Sequence, residues 1–330
     1  MISVAVNESS QVSQARRQAL DIAQQNAFSE TDAGRVALVA TELATNLIKH
    51  GDGGEILVGP YEDQGKSGIE ILALDRGRGM TNIDACFTDG YSKAGTAGNG
   101  LGAVARQSHV VDVASWPGLG TAVLARLDRG KPVRDAKRSH PPWGAVAVAM
   151  PGQEVNGDAW SVDDSSDGRT LFVADGLGHG PDAADASVEA VRLFQRHKGH
   201  QVPTLLDYVH GGLRSTRGAA VSIARINPGR DKIMFGGIGN VAGAIVAPSG
   251  IRRMVSLAGT AGHVVRKIQG FEYPYSGGLV ILHSDGLATS WTLDRYPGLL
   301  NAHPTLVAGV LYRDFARRRD DVTVLVGSGA

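Results

Sequence analysis

The sequence predicts an α+β protein of two consecutive domains, an α/β sandwich followed by a β-sandwich flanked by helices. Three observations predict it. A chain of 330 residues is about twice the usual single-domain size, so two cores are expected. The stretch DRGKPVRDAKRSHPP, residues 128–142, is polar, basic and closed by two prolines, with almost nothing apolar to bury, and reads as a connector. Apolar residues recur at helical spacing before it, and in short runs bounded by glycine, proline or acidic residues after it. The expected division is a first domain at 1–128, a linker at 129–142 and a second domain at 143–330.

In the first domain, Ser9 and Ser10 offer caps to a helix in which Val12, Ala15, Ala19, Ile22 and Ala23 share a face, running to about Phe28. Thr31 offers a cap to a second helix through Val36, Ala40, Leu43, Leu47 and Ile48, ending at Gly51. Strands are expected at 55–58 and 69–74. A glycine-rich region, a short helix after Leu101, and a hairpin of HVVDVAS and TAVLARL around WPGLG follow. In the second domain, AVAVAM, TLFVA, AAVSIARI, KIMFGG, AGAIVA, GLVILH and VTVLV read as strands. Helices interrupt them only at about 181–197, 203–213 and 303–317, too few for regular βαβ alternation, so a sandwich is favoured over a doubly wound sheet.

Composition narrows the function classes. Hydrophobic residues at 42% and charged residues at 20% fit an ordinary folded protein, and 33 basic against 33 acidic residues give no general attraction to nucleic acid or anionic membrane. The single cysteine, Cys86, permits no intramolecular disulfide and reads as a small buried apolar residue of a protein in a reducing compartment. MISVAVNESSQ is not a basic segment followed by a long apolar one, and no stretch approaches the roughly 20 apolar residues of a membrane span. A cytoplasmic protein is expected.

Glu42, Asn46 and His50 are four residues apart, so they lie within about 80° of one another on the second helix. A carboxylate there can act as base toward a hydroxyl, and an Asn oxygen one turn on can ligate the Mg²⁺ of a nucleoside triphosphate. Strand ILAL then runs into DRGRGM, with Asp75, Gly77 and Gly79, and GNGLGA follows, with Gly98, Gly100 and Gly102. An acidic group at a strand end can accept from an adenine amine, while glycines admit phosphates to backbone N–H groups. The run resembling G-x-G-x-x-G is a decoy, since no strand leads directly into it. Glu42/Asn46, DRGRGM, GNGLGA and then Gly120-Thr121 together resemble the Bergerat-type (GHKL) ATP-binding fold. ELATNLIKHG and DGYSKAGTAGNGLGA are most similar to RsbT-type serine/threonine switch kinases. The resemblance covers residues 1–128. It implies that Glu42 is the catalytic base, Asn46 the Mg²⁺ ligand and Asp75 the adenine contact, with Thr121 nearby and Gly77, Gly79, Gly98, Gly100 and Gly102 lining the nucleotide. The phosphate-covering stretch TAGNG is longer than the family pattern, with fewer consecutive glycines.

In the second domain, Asp175 follows TLFVA and opens DGLGHG, Asp285 follows GLVILH in SDGL, and Asp320 and Asp321 precede VTVLV. An aspartate at one strand end is a common loop cap, but three such places suggest an oxygen-rich site for hard cations such as Mg²⁺ or Mn²⁺. Two ions of this kind suit phosphate-ester hydrolysis. The lone cysteine has no arginine-bearing phosphate loop behind it, which disfavours a cysteine-nucleophile phosphatase. His179 reads as a loop residue between glycines, and His197, His200 and His210 have no metal-ligand spacing. The order of NGDAW, VADGLGHG, HSDGL and RDDVTVLV resembles the SpoIIE-type branch of metal-dependent (PPM) protein phosphatases, and ADGLGHG in a compact domain is most similar to its RsbX type. By that resemblance Asp175 is catalytic and bridges two metals, the Gly176 carbonyl joins one of them, and Asp285 and Asp320 hold the other. Asp158 acts close by, directly or through water, and Asp321 is the alternative to Asp320.

Together the resemblances imply a bifunctional regulator of a bacterial partner-switching, stressosome-type pathway. Its expected cofactors are two Mn²⁺ or Mg²⁺ ions in the second domain and ATP with Mg²⁺ in the first. Its expected partners are phosphorylated STAS-domain proteins of the anti-sigma-antagonist type. A first domain that docks or senses nucleotide without transferring phosphate is the alternative.

Overall fold

A computed structural model of the chain describes residues 1–63, 65–83, 100–130, 132, 140–165, 168–227, 229 and 231–329. Two units emerge from it: Met1–Pro141 with Asn301–Arg313, and Pro142–Leu300 with Asp314–Ala330. The expected division into consecutive blocks did not foresee that Asn301–Arg313 groups with the first unit.

The first unit begins with a strand not expected from the sequence, β1 (Ile2–Val6), too short to stand out until its alternating exposure is seen. It continues through α1 (Ser9–Gln25), α2 (Glu30–His50), β2 (Gly54–Asp63), β3 (Lys66–Leu74), α3 (Gly100–Gln107), β4 (Val110–Trp116) and β5 (Gly120–Asp128). The helix starts differ from expectation. Ser9 and Ser10 lie inside α1, where the Gln11 side chain accepts from the Glu8 N–H at 3.0 Å. For α2, Ser29 rather than Thr31 is the cap, its hydroxyl accepting from the Asp32 N–H at 3.1 Å.

The five strands form one antiparallel sheet in the order β1-β2-β3-β5-β4. In β3, Ile69, Ile71 and Ala73 face α1 and α2, packing with Val6, Ala19, Val36, Leu43, Ile56 and Val123. The intervening residues Glu70, Leu72 and Leu74 are buried as well. The segment Asn301–Arg313 supplies their cover: a Cβ on Gly309 would lie 2.9 Å from Leu72 Cδ2. There Arg126 Nε donates to Glu70 Oε2 at 3.0 Å, and Arg126 Nη2 donates to Thr305 Oγ1 at 3.1 Å.

The second unit contains β6 (Trp143–Val148), β7 (Asp158–Ser165), β8 (Gly168–Gly176), α4 (Pro181–Arg196), α5 (Val202–Gly212), β9 (Ala219–Ile226), β10 (Lys232–Ile238), β11 (Ala242–Ala247), β12 (Gly250–Met254), β13 (Phe271–Pro274), β14 (Leu279–His283) and β15 (Val322–Ser328). Helix α6 (Pro304–Phe315) lies between β14 and β15 in sequence. Two antiparallel five-stranded sheets, β13-β10-β9-β8-β7 and β12-β11-β14-β15-β6, enclose a core of Leu171, Val173, Ala224, Phe235, Ile245, Val280, Leu282 and Leu325. On the outer face of the first sheet, Phe172 and Ile223 pack against Phe194 of α4 and Leu206 of α5. The Phe172 and Phe194 rings stack with centroids 4.8 Å apart. Strands β7, β12 and β13 were not expected as strands; their sequences DAWSVDDS, GIRRM and FEYP carry too little apolar alternation. Among the described residues, no helix is long and apolar enough to cross a membrane.

Candidate active sites

In the first unit, the α2 stripe meets the start of α3. A Cβ added to Gly100 would lie 3.2 Å from Asn46 Oδ1 and 3.6 Å from Glu42 Oε2, so the glycine lets the α3 backbone close onto both side chains. Gly102 is buried two residues further into α3. Gly98 and Cys86 lie outside the described residues.

Asp75 sits just beyond β3, where its Oδ1 accepts from the Gly77 N–H at 2.9 Å and the Thr121 N–H at 3.1 Å. Burial raises its carboxyl pKa, and those two N–H groups oppose the rise. The Asp75 N–H donates in turn to the Thr121 carbonyl at 2.9 Å. The Thr121 hydroxyl lies 2.8 Å from that of Ser115. Close approach explains the glycines: a Cβ on Gly77 would come within 2.8 Å of Gly51 Cα, and Gly79, at φ 69°, would place one 2.1 Å from the Trp116 carbonyl oxygen. His50 ends the stripe, its pKa lowered by burial and then by Arg78 and Lys49. A cavity of about 760 Å³ opens beside this loop, lined by Met80, Asn82, Asp112 and Ser115 among others, and it does not include Glu42 or Asn46. Among the described residues lining that cavity, Asp112 is the carboxylate.

In the second unit, β7 and β8 pair so that Asp158 and Asp175 are direct partners. Their Cα atoms are therefore roughly 4.5–5.5 Å apart. Asp158 is 7% exposed, and among the described residues its buried Oδ2 has no hydrogen-bond partner. Burial and then the charges of Asp321 and Asp320 push its carboxyl up to about 7, against the opposing Ser284 and Thr323 hydroxyls. Asp175 is pushed up to about 9, by burial and then by Asp158, Asp285 and Asp320. Asp285 is raised by burial and then by Asp320. The four carboxylates Asp158, Asp175, Asp285 and Asp320 thus share one electrostatic environment.

Each is placed by local backbone structure. Asn156 Oδ1 accepts from the Asp158 N–H at 2.9 Å, shaping the turn before β7. Gly176 must be glycine, because a Cβ there would fall 1.9 Å from the Ala183 carbonyl oxygen of α4. The Asn240 amide donates to Asp285 Oδ2. His283, buried and lowered to about 4, accepts from Trp291 Nε1 at 3.1 Å, leaving its Nδ1–H for the Ser284 carbonyl at 2.8 Å. That pairing anchors the turn before Asp285.

The two neighbours Asp320 and Asp321 differ. Asp321 is 2% exposed, and its carboxylate accepts from the Met150 N–H at 2.7 Å and the Gly157 N–H at 2.8 Å. Asp320 is half-buried, and its Oδ1 accepts from the Asp321 N–H at 2.9 Å. Asp321 is therefore engaged in fastening the loops before β7, while Asp320 bears on Asp175 and Asp285. Sequence reading passed over Ser284, Thr323 and Asn240. The first two had a signal in their position beside Asp285 and Asp321, whereas nothing near Asn240 in sequence pointed to Asp285.

A hard divalent cation fits this donor set. An orphaned carboxylate oxygen and four mutually repelling acids are relieved by positive charge, and the donors are all oxygen. Among the described residues, no three His, Cys, Asp or Glu side chains close into an ion-sized cage.

Residues 5–127 match the histidine kinase-like ATPase domain. Serine/threonine-protein kinase RsbT of Bacillus subtilis (strain 168) is 32% identical over 111 residues, covering 34% of this chain and 84% of its own. A solved structure from the bacterial stressosome, described as a modular system adapted to control secondary messenger signaling, is 28% identical with a TM-score of 0.51, covering 56% of this chain and 97% of its own. RsbX in complex with magnesium has the same TM-score of 0.51 at 22% identity, covering 59% of this chain and 98% of its own. The fold of that phosphatase is thus similar to part of this chain.

Proposed function

Because the chain belongs, through its first unit, to the RsbT family of serine/threonine kinases built on a histidine kinase-like ATPase domain, we propose that it is a bifunctional regulator of a bacterial partner-switching pathway. Its second unit removes phosphate from serine or threonine of a phosphorylated STAS-domain protein, and its first unit binds ATP and phosphorylates such a protein. The observation that carries the reading is the set of coupled carboxylates around the Asp158 and Asp175 pair.

In the second unit, Asp175 would bridge two ions, with the Gly176 carbonyl on one, Asp285 and Asp320 on the other, and Asp158 close by. Mn²⁺ or Mg²⁺ supplies Lewis-acid activation of water and neutralises phosphoryl charge. The chain's own part is placement. The β7–β8 register holds Asp158 against Asp175, Asn240 orients Asp285, and Asp321 fastens the adjoining loops. On this reading Asp320 would be the ligand, and the hydrogen bonds that Asp321 accepts from Met150 and Gly157 support a structural part for it.

In the first unit, Asp75 Oδ1 accepts from two backbone N–H groups, which fix the carboxylate that would accept from an adenine amine. Asn46 would ligate the Mg²⁺ that accompanies ATP, and Glu42 would accept the proton of the substrate hydroxyl. The close approach of Gly100 supports this arrangement by placing the α3 start against both residues.

Incubation of the full chain with a phosphorylated STAS protein and Mn²⁺ tests the phosphatase, and labelled ATP with the unphosphorylated protein tests the kinase. Phosphate release and label on serine or threonine are the expected results. A chain that binds ATP but leaves its partner unlabelled is a docking module instead.

A further inference from the structure

On the phosphatase reading a phosphomonoester dianion must approach a cluster of carboxylates, and a side-chain cation there would hold its oxygens in addition to the divalent ions. One lies at the right edge of the sheet. β9 pairs with β8 so that Ala220 faces Asp175 and Ala219 faces Gly176, and Arg217 is two residues before β9. The turn after Asp175 is tied to the same place, with the Leu177 N–H donating to the Gly218 carbonyl at 3.0 Å. Arg217 is held from behind by its own carbonyl, 2.9 Å from His263 Nε2, and by the Gly218 N–H donating to Thr216 Oγ1 at 3.0 Å.

Its guanidinium lies over the turn. A Cβ on Gly178 would sit 3.4 Å from Arg217 Nη1. Nη2 pairs with Asp182 Oδ2 at 2.5 Å, the two side chains being 51% and 63% exposed. An ion pair so open to water is weakly held, whereas a guanidinium fork matches two phosphate oxygens and binds them with charge-assisted hydrogen bonds. We infer that Arg217 binds the phosphoryl oxygens of the substrate, exchanging Asp182 for phosphate. Asp182 keeps the guanidinium over the Asp175 turn until the substrate arrives. The inference rests on the phosphatase reading and adds the residue that recognises the phosphate itself.

The test uses the full chain with Mn²⁺. Calorimetry gives the Kd for inorganic phosphate, and p-nitrophenyl phosphate hydrolysis gives KM and kcat, for the wild type, Arg217→Ala, Arg217→Lys and Asp182→Asn. The Ala variant should weaken phosphate binding and raise KM about 10-fold, the loss of a hydrogen bond to a charged group. Its Mn²⁺ affinity and melting temperature should match the wild type. Lys should recover part of the loss as a point charge without the fork. Asp182→Asn should tighten phosphate binding by freeing the guanidinium. An Ala variant within twofold of the wild type in both phosphate Kd and KM, in an active wild-type background, overturns the inference while leaving the phosphatase intact. A Mn²⁺ affinity that falls in step with phosphate affinity also overturns it, by showing a structural role. A wild type that neither binds phosphate nor hydrolyses the ester overturns the phosphatase reading, and this inference with it.

Discussion

Asp158 and Asp175 face each other directly across the β7–β8 ladder, one buried and the other half-buried. Like charges opposed in a ladder are destabilising unless a proton or a cation separates them. Two predictions come from that opposition.

Without divalent ions, both acids retain protons well above the ordinary carboxylate range, to about 7 for Asp158 and about 9 for Asp175. The folded state then binds protons that the unfolded state has released. Stability is fully present below the unfolded pKa near 4 and is lost as pH rises through the folded values. Thermal melts in EDTA should therefore fall progressively between about pH 4 and pH 9. Saturating Mn²⁺ should flatten that slope, and Mn²⁺ affinity should itself rise with pH. A metal-free melting temperature that rises over the same range would contradict the charge opposition.

Asp158→Asn removes one of the opposed charges. In EDTA at pH 8 the variant should be more stable than the wild type, by at least about 1 kcal/mol, since each unit of relieved pKa shift corresponds to roughly that much. With Mn²⁺ present the order should reverse, because the wild type gains binding energy that the variant has lost. Denaturant titration with and without the ion reads both halves.

Asp320 and Asp321 should separate cleanly. Asp321→Ala strips the acceptor from two N–H groups, those of Met150 and Gly157, and should cost about 2–6 kcal/mol of stability. Asp320→Ala should leave the metal-free fold at or above wild-type stability and weaken Mn²⁺ binding. Calorimetric Mn²⁺ titration beside a denaturation curve distinguishes the two, and equal stability losses would remove the distinction.

This pair marks where sequence reading ran out. The positions of Asp175, Asp285 and the Asp320/Asp321 doublet at strand ends were legible, because each closes an apolar run. Which of two adjacent acids faces the others depends on strand direction and on loops 164 and 171 residues distant, whose N–H groups Asp321 accepts. Strand β7 was hidden for a related reason: its outward residues are polar, so only its motif was visible and not its pairing with β8. In the first unit, the α2 stripe and the hairpin β4–β5 were legible from periodicity and from WPGLG. The cover given to Leu72 and Leu74 by Asn301–Arg313 was not, since it joins residues more than 200 positions apart.

The buried pair Glu70 and Arg126, 5% and 4% exposed, supports the first unit in a way that single substitutions expose. Burial raises the Glu70 carboxyl pKa, and the Arg126 charge opposes that rise. Glu70→Leu should destabilise by about 3 kcal/mol by removing the carboxylate closest to the buried guanidinium, which keeps the weaker Asp63 pairing at 3.8 Å. Glu70→Leu with Arg126→Met should recover most of it. Urea titrations of the single and double variants give the comparison, and additive losses would show that the pair is not coupled.

The central claim is that the carboxylates around Asp175 hold divalent ions for hydrolysis of a phosphorylated side chain. Its most direct test is Mn²⁺-dependent phosphate release from a phosphorylated STAS protein by the wild type and by Asp175→Asn, alongside matched melting curves. The account predicts release that rises with Mn²⁺ in the wild type and falls at least about 100-fold in the folded variant, the scale of losing several kcal/mol of transition-state stabilisation. Equal rates from the two proteins, or release indifferent to Mn²⁺ and EDTA, would contradict it.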